Sequence, residues 1–154
     1  MSRSPHRRRW ANKTYEAEAV YWRNLPLEHE ARRQVTVEHA NEITKRFLPD
    51  YTVTRSKGFG TAYCCWDRRE IKIGGMAQTW LVLHEIAHGY GRATDKHNAA
   101  FRGRYACLVR IVLGDDTADG LRKAFADLGL DIGPEVLPTP QTTLPHPPSM
   151  KETA

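Results

Sequence analysis

The chain has 154 residues, 40 % of them apolar and 27 % charged, enough for one domain with a real core and too little for two of ordinary size. No apolar run approaches the roughly 18 residues that cross a bilayer. Nor is the basic start MSRSPHRRRW followed by an apolar signal segment of about 7 to 15 residues, so a cytoplasmic protein without membrane contact is expected.

The net charge of +5 sits at the N-terminus, where Arg3, Arg7, Arg8, Arg9 and Lys13 meet no acid within residues 1–13. The remaining residues hold 18 basic and 18 acidic side chains, so the body is neutral. Residues 3–13 thus form an arm able to make weak, nonspecific contact with nucleic acid. Residues 14–24 and 27–48 then read as helices, because Ala31, Val35, Ile43 and Phe47 recur at multiples of four until Pro49.

Three short runs follow with strand character, residues 51–55, 62–66 and 70–73, separated by the turn-forming SKGFG and by residues 67–69. They predict a small antiparallel meander. From Ala77 the helical period returns, with Trp80, Leu83, Ala87 and Tyr90 on one arc, and Gly89 and Gly91 are placed to close the last turn in the left-handed conformation.

Thr94 or Asp95 is the expected cap of a further helix, whose stripe is His97, Phe101, Tyr105, Leu108 and Val112; Gly114 ends it. A last short helix is predicted over 117–129. Residues 133–154 contain six of the nine prolines and few large apolar groups, the composition of an extended tail. The expected organisation is a basic arm (1–13), one folded domain (14–132) and a Pro-rich tail (133–154). The three cysteines, Cys64, Cys65 and Cys107, include no CxxC pair and make neither a disulfide framework nor a thiolate zinc site.

The chemistry lies in HEIAHGYGRATDKH, residues 84–97, which holds three of the chain's seven histidines. His84 and His88 are four apart on a helix, about 6 Å along the axis and 40° around it, so both rings can reach one ion. A catalytic zinc site supplies three protein ligands and leaves the fourth position open. Glu85 projects beside that position, where it can take a proton from water and pass it to a leaving amine. This is the logic of HExxH.

The third ligand distinguishes such sites. The pattern HExxHxxGxxH matches at Gly91 but fails at Thr94, and no glutamate lies between Glu85 and Glu135. His97 is the strong candidate, with a hydrogen-bonded core histidine as its alternative reading and Asp95 as a weaker substitute ligand.

The segment HEIAHGYGRATDKHNAAFRGRYACLV resembles the SprT-like and WLM groups of small zinc peptidases, in which HExxH is followed by a loop, a histidine opening a helix, and phenylalanine four residues later. His97 and Phe101 match that element. In length and layout the chain is most similar to a family of small metallohydrolases from actinobacteria and their phages. One departure is Asn98 and Ala99, where the family commonly has glycine and proline.

The resemblance implies an α+β zincin-like fold of the minigluzincin type, with a helix carrying HExxH followed by a helix carrying the third ligand. It implies a zinc-dependent hydrolase, most simply a metallopeptidase, with Glu85 as catalytic acid/base, His84, His88 and His97 as ligands, and one Zn2+ per chain. The expected substrate is a polypeptide or other amide. An edge strand at residues 61–66 could hold it extended by backbone pairing.

Tyr90, Arg92, Arg104 and Tyr105 compete to steady the oxyanion, and Trp66 and Trp80 read as core. A different class also fits: a zinc-stabilised binding module without turnover, held on DNA by the basic arm. An interaction protein using the proline-rich tail is a third.

Overall fold

The computed structural model describes residues 5–58, 61–91 and 96–138, with side chains from residue 13 onward. The architecture is α+β and zincin-like. Helix α1 spans Pro5–Asn24, α2 Val37–Phe47, α3 Thr79–Gly89, α4 Ala99–Leu113 and α5 Asp115–Asp127; strands β1 (Thr52–Arg55), β2 (Ala62–Cys65) and β3 (Glu70–Ile73) form one sheet between α2 and α3. No described helix is long and apolar enough to cross a membrane.

The continuous helix expected over 27–48 is broken. A 3-10 turn at Glu30–Arg32 gives way to extended backbone, where Val35 N–H donates to Ala77 O at 3.0 Å and Thr79 N–H to Arg33 O at 3.0 Å. Thr36 then restarts the helix by accepting from His39 N–H at 3.1 Å. A threonine oxygen that satisfies an orphan donor of the first turn is a strong start signal, and it outweighs the fourfold apolar spacing. Ala31 and Val35 are buried all the same.

The sheet also departs from the expected meander. Its order is β1-β3-β2: β2 and β3 pair antiparallel, as predicted, but β1 pairs with β3 in parallel, Val53 opposite Ile71. Each edge strand has its own anchor. Val53 N–H on β1 donates to Asn41 Oδ1 of α2 at 3.2 Å, while β2 lies along α3. β3, whose Ile71 and Ile73 are fully buried, takes the centre, where both edges are used.

α3 is the central element. Val82, Leu83, Ile86 and Ala87 are fully buried, and so is the α4 stripe of Phe101, Tyr105 and Leu108. Covering each such large side chain contributes roughly 1.5–3 kcal/mol, which is why α3 can carry polar and ionisable groups without losing its place. Gly89 ends α3 by permitting close approach rather than a left-handed turn, since a Cβ there would collide with Leu48. The left-handed turn falls instead on Lys96 (φ 39°) and His97 (φ 58°).

Asn98, not Thr94 or Asp95, caps α4, accepting from Phe101 N–H at 2.9 Å. His97 therefore stands one residue before the cap and not on the helix itself. Thr94 and Asp95 lie outside the described residues. Gly114 (φ 96°) closes α4 as expected and leads straight into α5. Beyond α5 the backbone stays on α4: Gly133 N–H donates to Ala99 O at 2.8 Å, and Glu135 pairs with Arg110 at 2.7 Å and Arg122 at 3.2 Å. Residues 139–154 lie outside the described part.

Candidate metal centre

Two turns of α3 and the turn before α4 bring three imidazoles together. The Nε2 atoms of His84, His88 and His97 are 3.0 Å (84 to 97), 3.1 Å (84 to 88) and 2.9 Å (88 to 97) apart. Three nitrogens cannot all be donors at that spacing. The arrangement suits lone pairs converging on a cation, and a tetrahedral zinc with bonds of about 2.0–2.1 Å would ask for edges of about 3.3 Å, a small opening of the triangle. Among the described residues the cluster is a single site fit for one Zn2+ per chain, and they offer it three ligand atoms, one fewer than a closed structural zinc site.

The protonation states agree. Burial, then the neighbouring His84 and His97, hold His88 down to about 2, with Arg104 adding to the effect. Burial, then His84 and Arg102, hold His97 down to about 3. Both rings are neutral at ordinary pH, as ligands must be.

His84 differs because of a residue that sequence reading missed. Glu18 of α1 is 1 % exposed, and its Oε1 lies 2.7 Å from His84 Nδ1. Burial works against charging His84, but the Glu18 carboxylate, by charge and hydrogen bond, outweighs it and raises the ring's pKa. With Nδ1–H donated to Glu18, Nε2 keeps its lone pair for the metal. Oε2 of Glu18 is buried with no hydrogen-bond partner among the described residues. A glutamate 66 positions away gives no local signal; its burial on α1 is the only hint, and that is visible in three dimensions alone.

His97 is held as firmly. The buried Arg102 donates to its carbonyl oxygen, to Asp131 O at 2.6 Å and to Thr14 Oγ1 of α1 at 3.3 Å. This clamp offsets the cost, about 1–2 kcal/mol, of a left-handed non-glycine residue. His88 is placed by Trp66, whose Nε1 donates to His88 O at 2.8 Å; Trp66 is thus an anchor of the site as well as a packing residue. Phe101 touches all three rings of the cluster, with centroids 4.9, 4.4 and 4.8 Å from His84, His88 and His97. It forms an apolar floor.

Glu85 is 5 % exposed beside His84, on the flank of β2. Burial raises its pKa to about 7, Glu18 adding to the rise, while His84 and a hydrogen bond from the Cys64 backbone hold it back. A base poised near neutrality can both accept and return a proton.

Of the four candidates for steadying the oxyanion, Tyr90, Arg92, Arg104 and Tyr105, two are committed elsewhere. Tyr90 donates to Phe47 O at 2.7 Å, and the fully buried Tyr105 donates to Trp80 O at 3.0 Å. Arg104 Nε donates to Ala87 O at 3.3 Å, and Arg92 lies outside the described residues. A residue outside that set, Tyr15 of α1, lies against the histidine cluster. Its ring stacks on His84 at 5.6 Å and 18° and meets His97 edge-on at 4.7 Å. Burial, then the charges of Glu85 and Glu18, push its hydroxyl up to about 12, so it is a neutral donor.

The fold and the histidine cluster are those expected of zincin-type metallohydrolases, with an HExxH-type active site. No protein-family model, curated protein or solved structure matches the chain.

Proposed function

We propose that the protein is a zinc-dependent metallopeptidase, acting on peptide-like carbonyls, with His84, His88 and His97 as ligands and Glu85 as general base. The observation that carries the reading is the convergence of three Nε2 atoms at 2.9–3.1 Å beside a buried carboxylate. A site with three protein donors keeps a position for water and substrate, which a purely structural site does not need. This favours turnover over a zinc-stabilised binding module. Bound there, zinc would polarise the substrate carbonyl and lower the pKa of water toward about 7.

The protein's own groups do the rest. Glu85 accepts the proton of the attacking water and delivers it to the departing amine nitrogen. The Cys64 backbone N–H holds one side of that carboxylate. Glu18 keeps His84 in one tautomer, and Phe101 keeps water from behind the rings.

The substrate path follows from the sheet. Gly74 N–H donates to Thr61 O at 2.7 Å, so the alternation of an antiparallel ladder sends the backbone groups of Ala62 and Cys64 away from β3. An extended peptide could pair there with the Ala62 N–H and C=O and the Cys64 C=O, the Cys64 N–H being held by Glu85, and pass alongside that carboxylate. The proposed kinship with the SprT-like and WLM peptidases, and with the small actinobacterial and phage metallohydrolases, rests on the resemblance of residues 84–109.

The test is metal content by mass spectrometry on wild type and His97→Ala, together with cleavage of a mixed peptide library by zinc-loaded and chelator-treated protein. Wild type should carry one zinc, lose cleavage with the metal, and lose most of the metal in His97→Ala. One zinc retained by His97→Ala would remove His97 from the ligand set, and no cleavage by zinc-loaded wild type would refute the peptidase.

A further inference from the structure

One face of α1 descends into the site in three steps. Tyr15, Glu18 and Trp22 share that face at spacings of three and four, and they are 49 %, 1 % and 2 % exposed. Trp22 is the deep anchor, stacked on Trp80 at 5.9 Å and 14°. Glu18 meets the far nitrogen of His84. Tyr15 is the rim, its ring against two ligands and half of its surface in solvent.

The open side of the histidine triangle can be located from its neighbours. Phe101 covers one side of all three rings, and Trp66, just past β2, meets His88 edge-on at 5.9 Å. Among the described residues, the border along His84 and His97 is Tyr15. A carbonyl above the triangle thus has β2 and Glu85 on one flank and α1 on the other. The Tyr15 hydroxyl makes no hydrogen bond to any described residue, unlike those of Tyr90 and Tyr105.

We infer that Tyr15 is a catalytic residue of the metallopeptidase proposed above, its hydroxyl donating a hydrogen bond to the substrate carbonyl oxygen as that oxygen gains negative charge. The proton stays on the tyrosine throughout; Glu85 alone moves the proton of the water. The role depends on the hydroxyl and not on the ring, whose contacts with His84 and His97 hold it in place. A donor aimed at a developing oxyanion in a water-poor site is worth about 10²–10³ in kcat where one has been removed elsewhere.

The inference rests on the metallohydrolase reading, and the test separates the two. The full chain is loaded with Co2+, whose visible absorption reports the ligand sphere, and titrated with methylphosphonate and with azide. Methylphosphonate is a tetrahedral oxyanion that needs no peptide subsites; azide is a linear anion of three nitrogens that binds end-on and offers no oxygen. Uptake of the metal by wild type is read before either ligand is added. Failure there would overturn the hydrolase reading and this inference with it.

With the metal bound, Tyr15→Phe should leave metal content and azide affinity within about twofold and weaken methylphosphonate by about tenfold or more. On peptides cleaved by wild type, kcat should fall while KM holds. Equal methylphosphonate affinity in the two proteins, or a parallel loss for both ligands, would overturn the role of the hydroxyl, the second result assigning Tyr15 to ring packing alone.

Discussion

Replacing Glu18 by Gln separates metal binding from folding. In the native protein Glu18 Oε1 and His84 Nδ1 are 2.7 Å apart, with side chains 1 % and 0 % exposed. An amide oxygen in the same place still accepts the Nδ1–H bond, so the tautomer and the packing survive while the charge is lost. The uncharged partner makes His84 a weaker donor to a cation. Removing such an outer partner costs about 10–100-fold in metal affinity, or about 1.4–2.7 kcal/mol.

The metal-free fold should barely change. The buried charge disappears along with its desolvation cost while the Nδ1–H bond is kept, so metal-free stability should stay within about 1 kcal/mol of wild type. Glu18→Ala is the contrast: it strands a buried N–H and opens a cavity, costing about 1–3 kcal/mol from the stranded donor alone. The assays are competition titration of zinc against a chromophoric chelator and thermal melting of chelator-treated protein. Zinc affinity of Glu18→Gln within threefold of wild type would refute the orienting role, whatever happened to Glu18→Ala.

Glu85→Gln should keep its zinc and lower peptide cleavage by about 10²–10⁴, read by rate measurement on metal-matched protein; a fully active variant would exclude Glu85 as the base. Cys64, whose thiol burial and the charge of Glu85 push up from 9.0 to about 12, should resist iodoacetamide at pH 8.5 in the native state and react on unfolding, as peptide mass mapping will show. The native state keeps that proton over an interval where the unfolded chain releases it, so this group lowers stability as pH rises above 9.0, measurable by denaturant titration. Gly103→Ala should cost about 1–3 kcal/mol in denaturant unfolding, because a Cβ would sit 2.5 Å from Pro134 O and 2.6 Å from Gly133 O, backbone atoms that cannot swing aside.

The parts of this protein written locally were readable from its residues. Four-residue spacing on one helix places His84 and His88 together, because 100° per residue and 1.5 Å of rise leave no other outcome. Glu85 beside them, Gly114 as a stop and the inward Ile71 and Ile73 follow from equally short-range rules. His97 was reachable by eliminating other ligands in the same stretch, though its place before Asn98, in a left-handed turn held by Arg102, was not.

What only the tertiary structure decided involves partners far apart in the chain. Glu18 and Tyr15 meet His84 across 66 and 69 positions because α1 packs along α5 and reaches α3 and α4 through Trp22, and no periodicity in α1 announces that contact. The parallel pairing of β1 with β3 has the same origin: strand character sets which residues can pair, while the helices packed on each edge choose the neighbours. Local geometry is determined by bonds and dihedrals within a few residues. Long-range placement comes from the competition among whole faces for burial, which is resolved when the elements assemble.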